Sequence, residues 1–289
     1  MELSIIILSF NTKDLTLNCI NSIVEQYREE LEKKQFEIIL IDNASSDGTQ
    51  DLVKKLKIQN LKIIGSKENL GFSNGCNLGA KNASGEFLLF LNSDTQIKDQ
   101  GFVKMIDYLK KNEKIGILGG KLKNEDGTAQ ASTGNFYNLF NLFFMLLGIE
   151  RVGFIRKSPN KTKQVDWVSG ACLAIRRKVF EKIGGFEKTL FMYWEDIDLC
   201  FKAKKKGYST YFYSEITLFH KSLASSNRSF AILNIYKGIL FFYKKNKPGL
   251  AYLVAKVMLF SKALMLRTFG QISNNKYLVQ TYGQALELF

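Results

Sequence analysis

The stretch LNSDT, residues 91–95, ends the apolar run EFLLFL on a carboxylate, Asp94. An unbroken apolar run of this length suits a strand covered on both faces, so Asp94 falls where the strand leaves the core. A hard oxygen ligand there, next to Asn92 and Ser93, can hold Mg²⁺ or Mn²⁺, with water and phosphate oxygens filling the other positions. The plainer reading makes Asp94 a helix cap. Asp42, at the end of IILID (38–42), poses the same choice. It either accepts hydrogen bonds from a base or ribose, as acids at strand ends of nucleotide folds do, or it caps the turn that follows. In NLGFSNGCNLG (69–79), Asn69 and Gly71 open a glycine-rich entry to a helix. Glycine lets backbone approach a ligand closely, and a helix N-terminus favours phosphate oxygens. The spacing matches neither G-x-G-x-x-G nor G-x-x-x-x-G-K-[ST], which removes the main support for a dehydrogenase or a P-loop protein.

Glu195, Asp196 and Asp198 crowd the start of a helix whose last turn holds Lys204, Lys205 and Lys206. Acids first and bases last complement the helix macrodipole. That order does not account for three acids within four residues beside Tyr193 and Trp194. A carboxylate held among aromatics can have its pKa raised and serve as a general base. His220, the single histidine, follows a strand, where a lone histidine is commonly structural. Its basic and hydroxyl neighbours in LFHKSLASS also suit a metal ligand or a diphosphate contact.

Strand-like runs at Leu3–Phe10, Phe36–Asp42, Leu61–Ile64 and Glu86–Asn92 alternate with helical segments at Leu15–Lys33, Thr49–Leu56 and Ser73–Ala83. This rhythm predicts a mostly parallel sheet with helices on its faces. A helix over Asp99–Lys111 and a strand over Ile115–Leu118 continue it. Ligands bind such sheets at the carboxyl ends of the strands, here near Phe10, Asp42, Gly65 and Asn92. After about residue 120 the rhythm changes. Residues 135–148 are apolar almost all round but too short to cross a bilayer, which leaves a buried helix or an element dipping into lipid. A strand over Val165–Arg176, a helix over Glu195–Lys206 and helices from Arg228 onward complete the pattern, the last group broken at Lys247-Pro248-Gly249.

The 289 residues allow one large α/β domain with appendages or two small domains, and 46% hydrophobic composition is enough for a full core. Lys and Arg number 41 against 27 Asp and Glu, a net charge of +14. The excess points to a phosphate-rich ligand, an acidic membrane or nucleic acid, or merely keeps the chain soluble. Nucleic acid is set aside, because no binding module is recognisable and the basic residues are dispersed. Cys19, Cys76, Cys172 and Cys200 show no C-x-x-C spacing, against structural zinc or a disulfide framework and for a reducing cytosol. MELSIIILSFN lacks a basic n-region and reads as a first strand and not a signal peptide.

SIIILSFN, LIDNASSDGT, NLGFSNGCNLG, LFLNSDT, WVSGACLAIRR, GGFEKTLFMYWEDIDLC and FHKSLASS follow one another in that order. Over residues 3–226 the chain resembles the family 2 glycosyltransferases, in particular their bacterial rhamnosyltransferase-like branch. The resemblance implies an α/β glycosyltransferase A-type fold, Rossmann-like, with a mostly parallel sheet, flanking helices and C-terminal helices. It implies a catalytic domain over 1–226, with a nucleotide-binding half to about residue 120 and an acceptor half beyond it, followed by a helical segment over 227–289. The implied reaction is inverting transfer of a sugar, rhamnose among the candidates. The donor would be a dTDP- or UDP-linked nucleotide-diphospho-sugar. The acceptor would be a hydroxyl of a surface glycan or a polyprenyl-diphosphate-linked saccharide.

Carried onto this sequence, the resemblance makes Asp42 the carboxylate that reads the pyrimidine, with Phe10 and Asn11 adjoining. Asn69, Gly71, Asn92, Ser93 and Asp94 complete the donor site. Asp94 matches the last position of the metal-binding D-x-D motif, and Asn92 stands at the first, which removes one negative charge. Asp196 matches the catalytic base, Glu195 orients base or acceptor, and His220 joins Asp94 at Mg²⁺ or Mn²⁺. A catalytically idle nucleotide-sugar-binding protein is the alternative. Lys244, Lys245 and Lys247 precede an apolar stretch broken by Lys256 and Lys262. That pattern suits either a helix lying on anionic lipid at the inner, cytoplasmic face of the cell membrane or a helix packed on the domain.

Overall fold

A computed structural model describes residues 1–149, 155–221 and 227–289. The SLASS portion of the FHKSLASS motif lies outside the described residues. Strand β1 (Leu3–Ser9) is buried along nearly its whole length and pairs in parallel with β2 (Phe36–Asp42) on one side and β4 (Phe87–Asn92) on the other. Strand β3 (Leu61–Gly65) extends the sheet beyond β2. The connections are α1 (Lys13–Glu32), α2 (Thr49–Lys54) and α3 (Gly71–Asn82). There follow β5 (Thr95–Ile97), α4 (Gly101–Lys111), β6 (Ile115–Lys123), β7 (Ala129–Gln130), β8 (Thr133–Gly134) and α5 (Leu139–Leu146). Next come β9 (Arg156–Lys157), β10 (Lys163–Val165), β11 (Trp167–Val168), β12 (Cys172–Arg176) and α6 (Arg177–Lys182). The chain ends with α7 (Glu195–Lys205), β13 (Ser209–His220), α8 (Arg228–Asn246), α9 (Leu250–Ile272) and α10 (Lys276–Leu286).

The main sheet runs β3-β2-β1-β4-β12-β6-β13-β10, with β12 antiparallel to both β4 and β6 and β10 antiparallel to β13. Alternate residues of the central strands fill two cores. Ile5, Ile7, Ile38 and Leu40 face α1 and α4, whereas Ile6, Ile39, Ile41 and Phe90 face α3 and the second half of the chain. Full burial of each such side chain stabilises by roughly 1.5–3 kcal/mol, so the strand register is strongly specified. One consequence sets up the site: Ser9, Asp42, Gly65, Asn92, Lys123 and His220 all end parallel strands on the same edge. All four cysteines are unpaired and buried, and burial pushes the Cys19, Cys172 and Cys200 thiols up to about 12, so they serve as core filler.

Three expectations are corrected. The strand expected over 165–176 is broken: β11 pairs with β8 in a small separate sheet, β12 joins the main one, and Ser169-Gly170 turns between them. Apolar continuity reports burial and carries no information about a change of pairing partner. The apolar segment 135–148 is helical only over Leu139–Leu146, because Asn138 caps it, its side chain accepting from the Asn141 N–H. The strand expected over 115–118 continues to Lys123.

Gly71 joins the two halves of the sheet edge. Its φ is +74°, and a Cβ there would run into the carbonyl of Phe191, whose oxygen accepts the Phe72 N–H at 2.6 Å. Left-handed backbone costs a residue with a Cβ roughly 1–2 kcal/mol and overpacking a further ~1–3 kcal/mol. Gly71→Ala is therefore expected to lose about 2–5 kcal/mol in urea unfolding. Gly48→Ala, at φ +82° with open space around it, should lose only the backbone part.

Candidate active site

A cleft of about 900 Å³ runs along this edge. Phe10, Asn69, Gly71, Asn92, Ser93 and Asp94 line it from the first half of the chain, and Glu195, Asp196 and His220 from the second. Asp94 and Asp196, about a hundred residues apart, thus face one space.

Asp94 caps no helix; it precedes β5, and its Oδ1 lies 3.2 Å from His220 Nε2. His220 Nδ1 is 2.7 Å from Gln130 Oε1. The Gln130 amide is oriented by donation from Nε2 to Asn124 Oδ1 at 2.9 Å, so its oxygen accepts the His220 Nδ1–H. The lone pair of Nε2 is then directed at the Asp94 carboxylate and at Asn92, whose amide nitrogen is 3.1 Å away. A carboxylate oxygen and an imidazole nitrogen facing each other at this distance, with the ring fixed by an outer hydrogen bond, form a donor set suited to a divalent cation. Among the described residues no third His, Cys, Asp or Glu joins them. Two protein ligands suffice where phosphate oxygens and water complete the shell.

The acidic cluster divides by geometry. Tyr193 and Trp194 have φ of 69° and 73° before α7 begins. This left-handed turn leaves Glu195 6% exposed, with Oε2 lacking a hydrogen-bond partner. Burial, reinforced by the neighbouring Asp196, pushes the Glu195 carboxyl well above the usual range. Burial leaves the Asp196 carboxyl above its usual range too, but less far than Glu195, because the Gly170 N–H at 3.1 Å, the Ile197 N–H at 2.8 Å and the Arg156 guanidinium oppose it. Environments that push two adjacent carboxyls apart assign the proton to Glu195 and the negative charge to Asp196. Asp198 is fully buried and paired with Lys245 at 3.2 Å and Lys202 at 3.6 Å, tying α7 to α8.

Neither Asp42, which is buried, nor Asn11, which is exposed, lines the cleft. Asp42 is 1% exposed; its Oδ2 accepts from Gln50 Nε2 at 2.6 Å and its Oδ1 is buried without a partner. The turn cap is Asp47 instead, which accepts the Thr49 N–H. Asn11 clips the β1 loop to the β2 loop, with its Oδ1 accepting the Ser46 N–H at 2.8 Å. Sequence reasoning missed Asn43, whose Oδ1 accepts the Leu70 N–H and whose Nδ2 donates to Asn69, so that it shapes the 69–71 loop. It also missed Gln130 and Arg156. Polar residues at sheet-edge turns were the available signal for Asn43, and nothing local marked the other two.

An α/β sheet with this strand order and a carboxylate-lined edge is of the class that binds ligands where its parallel strands end. The family model "Glycosyl transferase family 2" matches residues 4–184, and the chain belongs to that family. The match includes Asp42 and Asp94 and stops short of Glu195, Asp196 and His220. The chain is 27% identical over 209 residues to an N-acetylglucosaminyl-diphospho-decaprenol L-rhamnosyltransferase of Mycobacterium tuberculosis, an alignment covering 64% of this chain and 66% of that protein. It is 26% identical over 179 residues to the low-salt glycan biosynthesis hexosyltransferase Agl10 of Haloferax volcanii, covering 59% and 54%. The chain therefore spans less than two thirds of these relatives. Its fold matches that of a mannosyltransferase from Pyrobaculum calidifontis in complex with GDP-Man and Mn²⁺ (TM-score 0.61, 15% identity, 99% of this chain and 86% of that one). It also matches a 1–349 fragment of S. aureus TarS (TM-score 0.57, 16% identity, 99% and 90%). The fold is glycosyltransferase A-type.

A buried carboxyl with a raised pKa gives a stability term with a definite sign. The folded protein holds the Glu195 proton to higher pH than the unfolded chain, so stability falls as pH rises above the ordinary value of 4.5. Glu195→Gln keeps the shape and cannot ionise. Thermal melts across pH should show the variant gaining on the wild type above pH 4.5 and matching it below. A constant difference at every pH would contradict the protonation assigned to Glu195.

Proposed function

We propose that the protein transfers a sugar, with inversion, from a nucleotide-diphospho-sugar to a hydroxyl of a lipid-linked saccharide or surface glycan. The observation carrying this reading is that the Asp94–His220 pair and Asp196 line one cleft. An inverting transfer is a single displacement, which needs a base for the acceptor hydroxyl and stabilisation of the leaving diphosphate. Asp196, held as a carboxylate by two N–H groups, accepts the hydroxyl proton. Glu195, buried behind it and protonated, adds no second charge beside the base. Asp94 and His220 would hold Mg²⁺ or Mn²⁺, which supplies neutralisation of the charge developing on the departing diphosphate. Phe10, Asn69 and Gly71 form the donor wall. The unpartnered Asp42 Oδ1, buried outside the cleft lining, would accept an N–H of a pyrimidine, whether uracil in a UDP-linked donor or thymine in a dTDP-linked one, once the turn that covers it moves aside. Rhamnose transfer is the finer form of this reading, supported by the mycobacterial relative's name. The Asp94–His220 donor set also favours an enzyme over an idle binder, because His220 supplies a ligand where the motif has lost an acid at Asn92.

The acceptor side supports attachment to an anionic membrane surface. Among the described residues no helix is long and apolar enough to cross a membrane. Yet Leu253, Val257, Phe260 and Leu264 recur at helical spacing on the outer face of α9 and are exposed, as are Phe140, Phe143 and Leu147 around α5. Apolar ridges of this kind with nearby lysines suit the bilayer interface. Buried, unpaired thiols fit the reducing, cytoplasmic side.

Asp196→Asn should retain UDP affinity and lose about 10²–10⁴-fold in turnover, the range for removal of a general base. Asp94→Ala should abolish Mn²⁺-dependent stabilisation of the protein by UDP in thermal melts. Full activity in Asp196→Asn would discard the base. Sedimentation with phosphatidylglycerol vesicles should carry the wild type down at low salt and leave Val257→Glu/Phe260→Glu in solution; equal recovery of the two would sink the membrane assignment.

A further inference from the structure

The cleft extends beyond the groups that the donor chemistry uses. Met145 and Leu146 at the end of α5, Ile232 and Ile235 of α8, and Lys262 of α9 also line it, as does Arg156. Among the described residues Arg156 and Lys262 are the cleft's only arginine or lysine. The Arg156 guanidinium lies over the Trp167 ring, 5.7 Å from its centroid, and its Nε is buried without a hydrogen-bond partner. Its Nη2 donates to the Ala131 carbonyl at 3.4 Å, and among the described residues it forms no ion pair with a carboxylate, although its charge acts on Asp196. A cation left beside a general base weakens that base, so its position calls for an anion that arrives with a substrate. Lys262 reaches across from α9 to donate to the Leu146 carbonyl, which brings its ammonium to the end of α5.

We propose that this wall is an acceptor subsite for an isoprenoid-linked sugar phosphate. Arg156 and Lys262 take the phosphate oxygens, and Met145, Leu146, Ile232 and Ile235 take the first hydrocarbon units. The proposal rests on the transferase reading and names the side of the cleft from which its acceptor enters. The chemistry is matched part by part: guanidinium and ammonium recognise phosphate, and the aliphatic stretch recognises a chain that water rejects. The subsite shares α5 and α9 with the exposed apolar residues Phe143, Leu147 and Leu264, so a long hydrocarbon tail leaves it along surface that is already apolar. An anion bound at Arg156 would offset the guanidinium field on Asp196, so the base gains proton affinity when an acceptor is in place.

Trp167 and Trp194 are the protein's two tryptophans and both line the cleft, so intrinsic fluorescence reads its occupancy. The full chain, saturated with UDP and Mn²⁺ to fill the donor side, is titrated with farnesyl diphosphate, farnesol and inorganic diphosphate. Farnesyl diphosphate should bind at least about tenfold more tightly than either fragment, since both halves of the subsite contribute. Arg156→Gln and Lys262→Gln should each weaken it by about tenfold, the worth of one charge-assisted hydrogen bond. Lys262→Arg should recover the loss. Met145→Gln, close in volume, should weaken farnesyl diphosphate and leave inorganic diphosphate unchanged. Binding equal to that of farnesol would remove the phosphate half, and binding equal to that of inorganic diphosphate would remove the hydrocarbon half; either overturns the subsite. A protein that binds UDP and hydrolyses its donor but ignores farnesyl diphosphate discards this inference alone, whereas one that fails to bind UDP discards the transferase reading itself.

Discussion

The turn at Tyr193-Trp194 is the constraint on which the acidic cluster depends. Two consecutive left-handed residues with side chains cost roughly 1–2 kcal/mol each, and such strain persists only where surroundings over-determine it. Here the surroundings are the C-terminal helices. Trp194 is buried against Tyr137 and Phe242, with ring centroids at 4.9 Å and 5.6 Å. Gly238 of α8 lets that helix approach so closely that a Cβ there would lie 2.6 Å from the Trp194 Cβ. Lys245 of α8 bridges Glu187 and Asp198 on either side of the turn. The helices after residue 227 therefore do more than cover the sheet. They hold the geometry in which Asp196 meets the Gly170 N–H and Glu195 is shut away from water.

The segment that leads into Asp196 is fixed to the first half of the chain by α3. Asn77 exchanges two hydrogen bonds with the backbone of Phe186, at 3.0 Å and 2.9 Å, and Asn74 donates to the Lys188 carbonyl. Phe72 donates to Phe191 through the space that Gly71 leaves open. The same helix begins at the 69–71 loop that Asn43 shapes from the end of β2. The 69–71 loop and the Tyr193-Trp194 turn are thus joined through one hydrogen-bonded wall that does not pass through the sheet.

Much of this arrangement was legible in the sequence because strand ends and ligand edges coincide in parallel sheets. Asp42, Asn92, Asp94 and His220 could be placed at the edge once the apolar runs before them were read as buried strands. The capping alternatives for Asp42 and Asp94 fell only to coordinates, since a carboxylate after a strand looks the same whether it turns to a helix or to a ligand. Asp196 and Asp198 are chemically identical in the text, yet two residues along a helix is about 200° of rotation. One therefore faces the cleft and the other the packed face against α8. Gln130 and Arg156 left no local signal because they sit on strands two residues long, too short to show an alternation: β7, in a hairpin with β6, and β9, paired with the distant β8. Tertiary pairing of that kind is invisible to periodicity.

The exchange of an acid for Asn92 bears on how the proposed cation and nucleotide would enter. Two carboxylates would give the edge a charge of about −2, attracting a bare cation and repelling the diphosphate in its absence. Asn92 in place of an acid halves that charge, and the fixed His220 imidazole would restore a ligand without restoring the repulsion. Affinity for the isolated ion falls, because a divalent cation bound by two protein atoms depends on other oxygens to complete its shell. In the proposed site those oxygens would come from the nucleotide. Cation and donor would then stabilise each other in the cleft, and the edge would carry about one negative charge until both are present.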